Sequence, residues 1–398
     1  MTATIHLGNN RETLKTLEDN SIDAIVTDPP YGIDFLGKSW DADTGALETY
    51  QQCLRVLKPG GYILAFSAAR TYHHLAVTLE RAGFEIRDQI MWLYASGFPK
   101  AQDIGKAIDK RAGKEHKSTA YDQKEPITPT RFMKSVACQV CGTKSKNPKG
   151  TGFYCGHSQK VDLEHTEAKQ WEGWKTALKP AHEPICMARK PFKGSCIDNV
   201  LEHGVGALNI DAARIPWPGE TPKLSKRGAY EDTTELTDGM AGMLKSEQTP
   251  QANEQGRFPS NVIGAVEGYQ KYFYCPKVSR KERHIGFDTS TIPTDSSGKF
   301  DRTEEQKLNA NERIENLSGN NHPTVKPVEL MKYLIQLVTP PNSTVLDPFC
   351  GSGSTGMAAV ELGHDFIGCE LDPNYVDIAK ARIAAWNTDG TTKKEFFE

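Results

Sequence analysis

The chain has 398 residues, a formal net charge of −3 and a mean hydropathy of −0.55. This length favours two or three structural units, and a charge so close to zero predicts that any contact with a polyanion is made by a local patch. No run of about 18 apolar residues occurs, so the sequence offers no candidate membrane span.

The start of the chain, MTATIHLGNNRETL, lacks the charged and then apolar pattern of a secretory signal. The nine cysteines are an odd number and few for this length. We therefore expect reduced thiols and a cytoplasmic protein.

The first hundred residues alternate between short apolar runs and segments of helical spacing, which predicts a parallel sheet. Lys58-Pro59-Gly60-Gly61 is a helix stop signal, and Gly83 closes the following helix. Strands are predicted at residues 3–7, 22–27, 62–66 and 84–94, and helices at 47–57 and 70–81.

The middle of the chain, from about residue 97 to residue 320, is rich in Gly, Pro, Lys, Asn and Ser. Residues 218–256 and 289–320 have the composition of long loops. The α/β pattern then returns, with strands predicted at 343–346 and 366–369 and helices at 354–362 and 374–386. The simplest organisation is an α/β fold interrupted by a polar insertion.

The stretch TDPPYG, residues 27–32, ends the second predicted strand. Neither proline has an N–H for the strand ladder, so the strand must stop there and continue as a stiff loop. A stiff loop with an acid and an exposed aromatic suits a flat, hydrogen-bonding ligand. An ordinary strand-ending turn would have the same composition.

Residues 351–356 read GSGSTG, between a predicted strand and a predicted helix. Gly351 and Gly353 would allow a tight turn and close backbone approach, and the helix N-terminus would offer N–H groups to an anion. Glu370, at the end of the next strand, could accept both hydroxyls of a ribose. Only about forty residues follow this loop, too few for the second half of a dinucleotide fold. The pattern favours a single nucleoside with a short charged tail, such as S-adenosylmethionine.

Four motifs together resemble the permuted amino-methyltransferases of DNA, in which the catalytic loop precedes the cofactor loop. They are TDPPYG, LDPFCGSGST, HPTVKPVEL and GCELDPNYVDIAKAR, and they cover about the first hundred and the last eighty residues. Phrases in the middle, such as ALKPAHEPICMARKP, GRFPSNVI and YFYCPKVSRKER, are similar to adenine-specific members from phages and prokaryotes.

The resemblance implies a Rossmann-like sheet of seven mostly parallel strands, with a large irregular insertion that forms a target-recognition region. Residues 1–105 would be the catalytic half, 106–320 the insertion and 321–398 the cofactor-binding half. The strands before Asp28 and Asp347 would be neighbours whose helices go to opposite faces, which opens a crevice at their carboxyl ends. TDPPYG and the glycine loop would form the two walls of that crevice.

The resemblance also implies roles for single residues. The catalytic set would be Asp28, Pro29, Pro30 and Tyr31: the Asp28 carboxylate and the Pro29 carbonyl would accept the two hydrogens of an exocyclic amine, and Tyr31 would stack on a flipped-out base. Relatives usually carry aspartate where Asn9 stands. The expected cofactor contacts are Asn9, Thr324, Lys326, Asp347, Phe349, Gly351, Gly353 and Glu370, with a solvated lysine at 326 and a core aromatic at 349 as the alternatives.

Four residues of the insertion resemble the ligands of a structural zinc ribbon with an unusual second half: Cys138, Cys141, Cys155 and His157. A metal there would order a segment too polar to fold alone. His165 or Cys186 could supply the fourth ligand instead, and free surface thiols are the alternative to any metal. We expect Cys53, Cys350 and Cys369 to serve packing only.

The stretch YQKYFYCPKVSRKER, residues 269–283, interleaves aromatic and basic side chains. Such a run can follow phosphates and stack on bases, whereas the alternative is a strand followed by a solvated basic helix start. The candidate DNA contacts are Lys271, Lys277, Arg280, Lys281 and Arg283.

These features favour a sequence-specific, S-adenosylmethionine-dependent methyltransferase that modifies adenine N6 in double-stranded DNA, as in restriction-modification systems. Cytosine N4 is the runner-up, because the resembling cytosine enzymes more often carry serine where Asp28 stands. A non-catalytic DNA-binding protein that keeps the fold and a nicotinamide oxidoreductase are alternatives of other classes. RNA or protein amide substrates, a homodimer and a restriction partner are left open.

Overall fold

The structure is a computed structural model that describes residues 2–33, 41, 44–94, 101–114, 163–178, 180–216, 254–264, 278–287 and 319–388. The chain divides into two compact units, one formed by residues 1–95 with 182–398 and the other by residues 96–181. In the described residues, no helix is both long and apolar enough to cross a membrane.

A single sheet forms the larger unit. Its strands in the described part of the chain are β1 (Ala3–Leu7), β2 (Ile22–Thr27), β3 (Leu57–Phe66), β4 (Glu85–Leu93), β5 (His182–Arg189), β6 (Val262–Gly264), β7 (Thr344–Asp347) and β8 (Asp365–Glu370). Their order is β1-β8-β7-β2-β3-β5-β4-β6, and only β5 runs antiparallel to its neighbours. The predicted mostly parallel α/β class is confirmed, with eight strands where seven were expected.

Two of these strands come from the polar middle of the chain. β5 inserts between β3 and β4, and β6 extends the sheet beyond β4. The strands predicted in the first hundred and last eighty residues are all present, with bounds that differ by one residue at most except at β3, which begins five residues earlier.

The helices of the larger unit cover both faces of the sheet. Among the described residues they are α1 (Asn10–Lys15), α2 (Leu47–Val56), α3 (Tyr72–Ala82), α6 (Cys196–His203), α7 (Arg280–Arg283), α8 (Val328–Val338), α9 (Ser354–Glu361) and α10 (Pro373–Thr388). The smaller unit contains α4 (Ile104–Arg111) and α5 (Thr166–Gln170). There the buried Asp109 accepts the N–H groups of Glu164 and His165, which joins the two helices.

The stop signal at residues 58–61 ends α2 as predicted, but no loop follows it. The chain passes directly into β3, which includes these residues. Gly60 supports this path with φ of +82°, and the Pro59 carbonyl accepts a hydrogen bond from the Asn199 side chain at 3.0 Å. A register shift in β2, between Ile22 and Ala24, accommodates the irregular start.

The central strand β2 lies between two hydrophobic cores, which explains its continuous apolar sequence. Val26 packs in the core that contains α8 and α9, and Ile25 packs in the opposite core with α2 and α3. β7, which pairs with β2, leads into α9 on the first face, whereas β2 leads towards α2 on the second. The two helices therefore leave neighbouring strands in opposite directions, and a crevice opens at the strands' carboxyl ends.

Candidate functional site

The two motifs that the sequence singled out meet at the carboxyl ends of β2 and β7. The Thr27 hydroxyl donates a 2.6 Å hydrogen bond to Asp347 Oδ1, across 320 positions of sequence. The parallel pairing of Ala24 with Val345 and of Ile25 with Leu346 sets this register. TDPPYG and the glycine loop therefore start side by side, as the sequence predicted.

Asp347 links the end of β2 to the glycine loop and α9 through hydrogen bonds. Its Oδ2 accepts a 2.6 Å hydrogen bond from the Thr355 hydroxyl on α9, and its Oδ1 also accepts the Phe349 N–H at 3.1 Å. Burial raises the pKa of the Asp347 carboxyl to about 6, although the two threonine hydroxyls act to lower it. The residue was expected to touch the cofactor, and in this geometry its hydrogen bonds hold the loop to which the cofactor was assigned.

The glycine loop has the backbone that the sequence required. Gly351 and Gly353 have φ of +52° and +81°, which L side chains rarely adopt. A Cβ on Gly353 would also lie 2.9 Å from the Ala379 Cβ on α10. Gly353 is the N-cap of α9, so the helix presents its N-terminus to the crevice.

Glu370 faces the loop from the end of β8. Its Oε2 accepts the Gly351 N–H at 2.8 Å, and its Oε1 accepts the Asp372 N–H at 2.9 Å. Burial raises the pKa of this carboxyl, and these backbone hydrogen bonds oppose the shift. A carboxylate has about four lone-pair sites, so two hydrogen bonds leave capacity for ligand hydroxyls.

Arg382, on α10, donates hydrogen bonds to the glycine loop. Its role was not identified from the sequence. Its fully buried guanidinium donates to the Ser352 carbonyl, to the Ser352 hydroxyl at 3.1 Å and to the Ser354 hydroxyl at 3.4 Å. Burial lowers the pKa of Arg382 to about 10. A buried arginine that fixes two loop serines limits the conformations open to the loop.

On the other wall, four side chains form what we call the acid–lysine cluster: Asp28, Tyr31, Glu183 and Lys326. Lys326 Nζ donates to Asp28 Oδ2 at 2.6 Å and to the Tyr31 hydroxyl at 3.1 Å, and it lies 3.5 Å from Glu183 Oε2. The Tyr31 hydroxyl lies 2.8 Å from Asp28 Oδ1 and 3.0 Å from Glu183 Oε2. Two carboxylates therefore share one ammonium and one hydroxyl.

The cluster is largely shielded from water, and this strengthens its electrostatics. The Lys326 side chain is 7% exposed, and its Nζ lies 5.0 Å from the Phe66 ring centre. Burial lowers the pKa of Lys326, but the Asp28 and Glu183 carboxylates outweigh burial and raise it overall. Burial, followed by the same two acids, raises the pKa of Tyr31. Lys326 is thus a cation and Tyr31 a neutral hydroxyl at neutral pH.

Asp41 holds the TDPPYG loop in place and was also missed from the sequence. Its Oδ1 accepts the N–H groups of Tyr31 at 2.6 Å and Gly32 at 3.1 Å, and its Oδ2 accepts that of Ile33 at 3.3 Å. The carboxylate is buried. These three bonds fix the backbone immediately after the two prolines.

The other expected cofactor residues lie near the crevice with different partners. Asn9 is the N-cap of α1, and its side chain accepts the Arg11 N–H at 3.0 Å. Thr324 donates its N–H to His322 Nδ1 at 3.3 Å. Phe349 packs against Tyr50 with ring centres 6.3 Å apart. Lys326, expected at the methionine end of the cofactor, binds Asp28 and Tyr31 of the TDPPYG motif.

The expected zinc ligands Cys138, Cys141, Cys155 and His157 lie outside the described residues, as do Lys271, Lys277 and the side chains of Arg280 and Lys281. Within the described ranges, no group of three His, Cys, Asp or Glu residues could hold a metal ion. Cys186 is buried in β5, and Cys53, Cys350 and Cys369 are buried as expected for packing residues. Arg283 donates to the His322 carbonyl at 3.0 Å, so part of its guanidinium is bound within the protein.

Comparisons with known proteins identify similar sequences and structures. A family model described as DNA methylase matches residues 22–381. The type II methyltransferase M.HindIII of Haemophilus influenzae is 24% identical over 416 residues, which cover 93% of this chain and 91% of the relative.

Two solved structures match most of the chain at low sequence identity and low TM-score. One is a complex of M1.HpyAVI with SAM, at 17% identity and a TM-score of 0.40, which covers 96% of this chain and all of the other. The second is the cytosine-N4-specific PvuII DNA methyltransferase, at 14% identity and a TM-score of 0.43, which covers 96% of this chain and 86% of the other.

Proposed function

Because this chain belongs to the DNA methylase family of N6- and N4-specific enzymes, we propose that it transfers a methyl group from S-adenosylmethionine to the N6 amine of adenine in double-stranded DNA. One observation carries the proposal: the 2.6 Å bond from Thr27 to Asp347, which joins the ends of the acidic, proline-stiffened loop and the glycine loop. Donor and acceptor sites on these two walls would face each other across one crevice.

The glycine-loop wall fits S-adenosylmethionine. The α9 N-terminus offers N–H groups and a positive dipole end to the methionine carboxylate, and Gly351 and Gly353 give the loop the left-handed backbone that brings it to this helix end. Glu370 retains lone pairs that can accept the ribose hydroxyls. When bound, the cofactor supplies a methyl group on a positively charged sulfur.

The other wall makes the amine a competent nucleophile. An exocyclic amine reacts poorly because its lone pair is delocalised into the base. Asp28 and the Pro29 carbonyl can each accept one N–H, which favours a pyramidal nitrogen whose lone pair points at the methyl group. As the N–C bond forms and the S–C bond breaks, Asp28 is placed to receive the proton that the amine loses.

A base must leave the duplex to reach this position, at a cost of a few kcal/mol that contacts in the pocket must offset. Tyr31 offers an aromatic face for stacking, and its hydroxyl is held by Asp28 and Glu183. Asp41 fixes the Tyr31 backbone, so the ring needs little reorganisation when the base arrives. Positioning and electrostatics thus supply most of the proposed catalysis.

The choice of adenine rests on Asp28, and cytosine N4 stays the alternative because the family includes both activities. The test is to incubate the purified chain with S-adenosylmethionine and duplex DNA, digest the DNA and identify the modified nucleoside. We expect N6-methyldeoxyadenosine. N4-methyldeoxycytidine would overturn the choice of base, and the absence of any transfer would favour a non-catalytic DNA-binding protein.

Other sequence-based expectations stay predictions under this proposal. They are target recognition by residues 106–320, a zinc ribbon within that range, action in the cytoplasm as part of restriction-modification, and a homodimer. Methylation-sensitive sequencing of DNA from cells that express the chain would identify the recognition site. Membership in a DNA methylase family argues against the nicotinamide oxidoreductase.

A further inference from the structure

Glu183 is an acid in the candidate base pocket that the mechanism above does not use. It is the second residue of β5, the antiparallel strand contributed by the middle of the chain, and it pairs with Trp92 on β4. Its side chain is 21% exposed, similar to the 18% of Asp28. Glu183, on β5, and Asp28, directly after β2, therefore reach the same partners, Lys326 and Tyr31, from different elements.

Each carboxylate oxygen of Asp28 already has a partner in this arrangement. Lys326 binds Oδ2 at 2.6 Å and the Tyr31 hydroxyl binds Oδ1 at 2.8 Å. The carboxylate has further lone pairs, but an ammonium at this distance neutralises most of the charge that makes it a strong acceptor. An amine that arrived now would find a weakened acceptor.

Lys326 cannot simply move into solvent, because its side chain is 7% exposed and lies against Phe66. A buried ammonium must keep a counter-charge, and Glu183 Oε2 is already 3.5 Å away. A small rotation of the lysine would exchange one carboxylate for the other, so the ammonium would stay buried and would keep an anionic partner. The Tyr31 hydroxyl contacts both acids, so it could likewise rotate and turn its single hydrogen from Asp28 to Glu183.

We propose that Glu183 is a positioning residue that draws Lys326 away from Asp28 when a base enters, so that Asp28 recovers its full acceptor strength for the amine. The inference rests on the proposed function and adds to it a second, sequence-distant carboxylate. No bond is made or broken in this step. The ammonium changes hydrogen-bond partners, and the net charge of the cluster stays the same.

The test is a double-mutant cycle on the full chain, measured as the single-turnover rate of methyl transfer. With Lys326 present, Glu183→Gln should slow transfer by about tenfold or more, because the lysine then has Asp28 as its sole anionic partner in the cluster. In the Lys326→Met background the same change should slow transfer by less than about twofold, because no lysine is left to draw away.

Three controls keep the cycle interpretable. Cofactor affinity should be unchanged in Glu183→Gln, since Glu183 does not contact the glycine loop's hydrogen-bond network. Glu183→Asp, which keeps the charge, should recover part of the rate. Glu85→Gln, on the neighbouring strand β4, removes an acid that pairs with Arg189 and should leave the rate near that of the original chain.

Equal slowing by Glu183→Gln in both backgrounds would overturn the inference, and so would the absence of slowing when Lys326 is present. A Lys326→Met variant without transfer would also overturn it, because the lysine would then be needed in the chemical step itself. If the unmodified chain transfers no methyl group, the proposed function fails and this inference fails with it. The four results are distinct.

Discussion

In the glycine-loop region, residues 343–388, the side chains of Glu370, Thr355 and Arg382 bond to neighbouring elements of that region, whereas the side chains of the acid–lysine cluster come from residues up to 298 positions apart. In the first region, β7, α9, β8 and α10 follow each other directly, and the bonds from Gly351 to Glu370 and from Arg382 to Ser352 span 19 and 30 positions. Longer-range bonds, from Thr27 to Asp347 and from Arg382 to Glu282, attach this region to the rest of the fold. In the second, the loop after β2, the strand β5 and the segment before α8 each contribute side chains.

Under the proposed function, this difference would separate cofactor binding from the chemical step within one crevice. A local, backbone-rich site needs glycines and a helix N-terminus, and it can be complete in a short stretch of chain. A cluster of ionised side chains requires the whole sheet to be assembled and depends on which partner each charge takes. Changes in the glycine-loop region should therefore alter cofactor affinity, and changes in the cluster should alter the transfer rate.

The largest expected effect comes from Asp28→Ala. Transfer should fall on the order of a thousandfold or more, because the amine loses an ionised acceptor, while cofactor affinity changes little. Single-turnover kinetics and calorimetric titration with S-adenosylhomocysteine measure the two quantities separately. A large loss of cofactor affinity would contradict the separation of binding from chemistry.

The second effect concerns Asp347, whose pKa is raised from 3.8 to about 6 by burial. The folded state then holds a proton that the unfolded state releases, so the stability contributed by this group is present below pH 3.8 and is lost as pH rises through about 6. A shift of this size corresponds to on the order of 3 kcal/mol.

Asp347→Asn removes that titration and provides the control. Urea unfolding from pH 4 to pH 7 measures the free energy of unfolding of both proteins. As pH rises, this free energy should decrease in the original chain relative to the variant. A difference that is constant across this window would mean that Asp347 is not held in a raised-pKa state.

The sequence was sufficient for the glycine-loop region because each element there carries its own signal. The predicted strand at 366–369 and helix at 374–386 lie within β8 and α10, and Gly353 was placed correctly at the turn. It was also sufficient for the pairing of β2 with β7, because both are buried strands that end in Asp-Pro and the family resemblance orders them.

The acid–lysine cluster could not be predicted from the sequence in the same way. Glu183 lies in HEPICMAR, a strand that was not predicted because Pro184 and the polar flanks indicate a loop. Pro184 is tolerated there because its carbonyl accepts the Ser67 N–H, and no donor is needed from it. Asp41 gave no signal either, because a lone acid beyond the catalytic loop has no periodicity that reveals a role.

Gly353→Ala should produce a moderate effect confined to cofactor binding. The new Cβ meets both an unfavourable φ of +81° and the Ala379 Cβ at 2.9 Å. We expect the dissociation constant for S-adenosylhomocysteine to rise by about tenfold or more. Gly204→Ala is the matched control, because Gly204 has φ of +76° but nothing within 4 Å of the added Cβ. Equal cofactor affinities in the two variants would mean that the close approach of Gly353 to Ala379 does not affect cofactor binding.

The smallest effect is expected for Asn9→Asp. Aspartate caps α1 as well as asparagine does, so stability should change by less than about 0.5 kcal/mol. If residue 9 contacts the cofactor's adenine as the family resemblance implies, the dissociation constant should fall by about threefold, which corresponds to one improved polar contact. Thermal unfolding and calorimetry measure both values, and an unchanged affinity would assign Asn9 to helix capping alone.

The most direct test of the shared crevice is a crystal structure with S-adenosylhomocysteine and a duplex that contains the target base. The account predicts that the cofactor's sulfur faces the flipped-out base with no protein atom between them, that the base's amine lies within hydrogen-bond distance of Asp28, and that Glu370 binds the ribose. A cofactor bound elsewhere, or a side chain standing between its sulfur and Asp28, would contradict it.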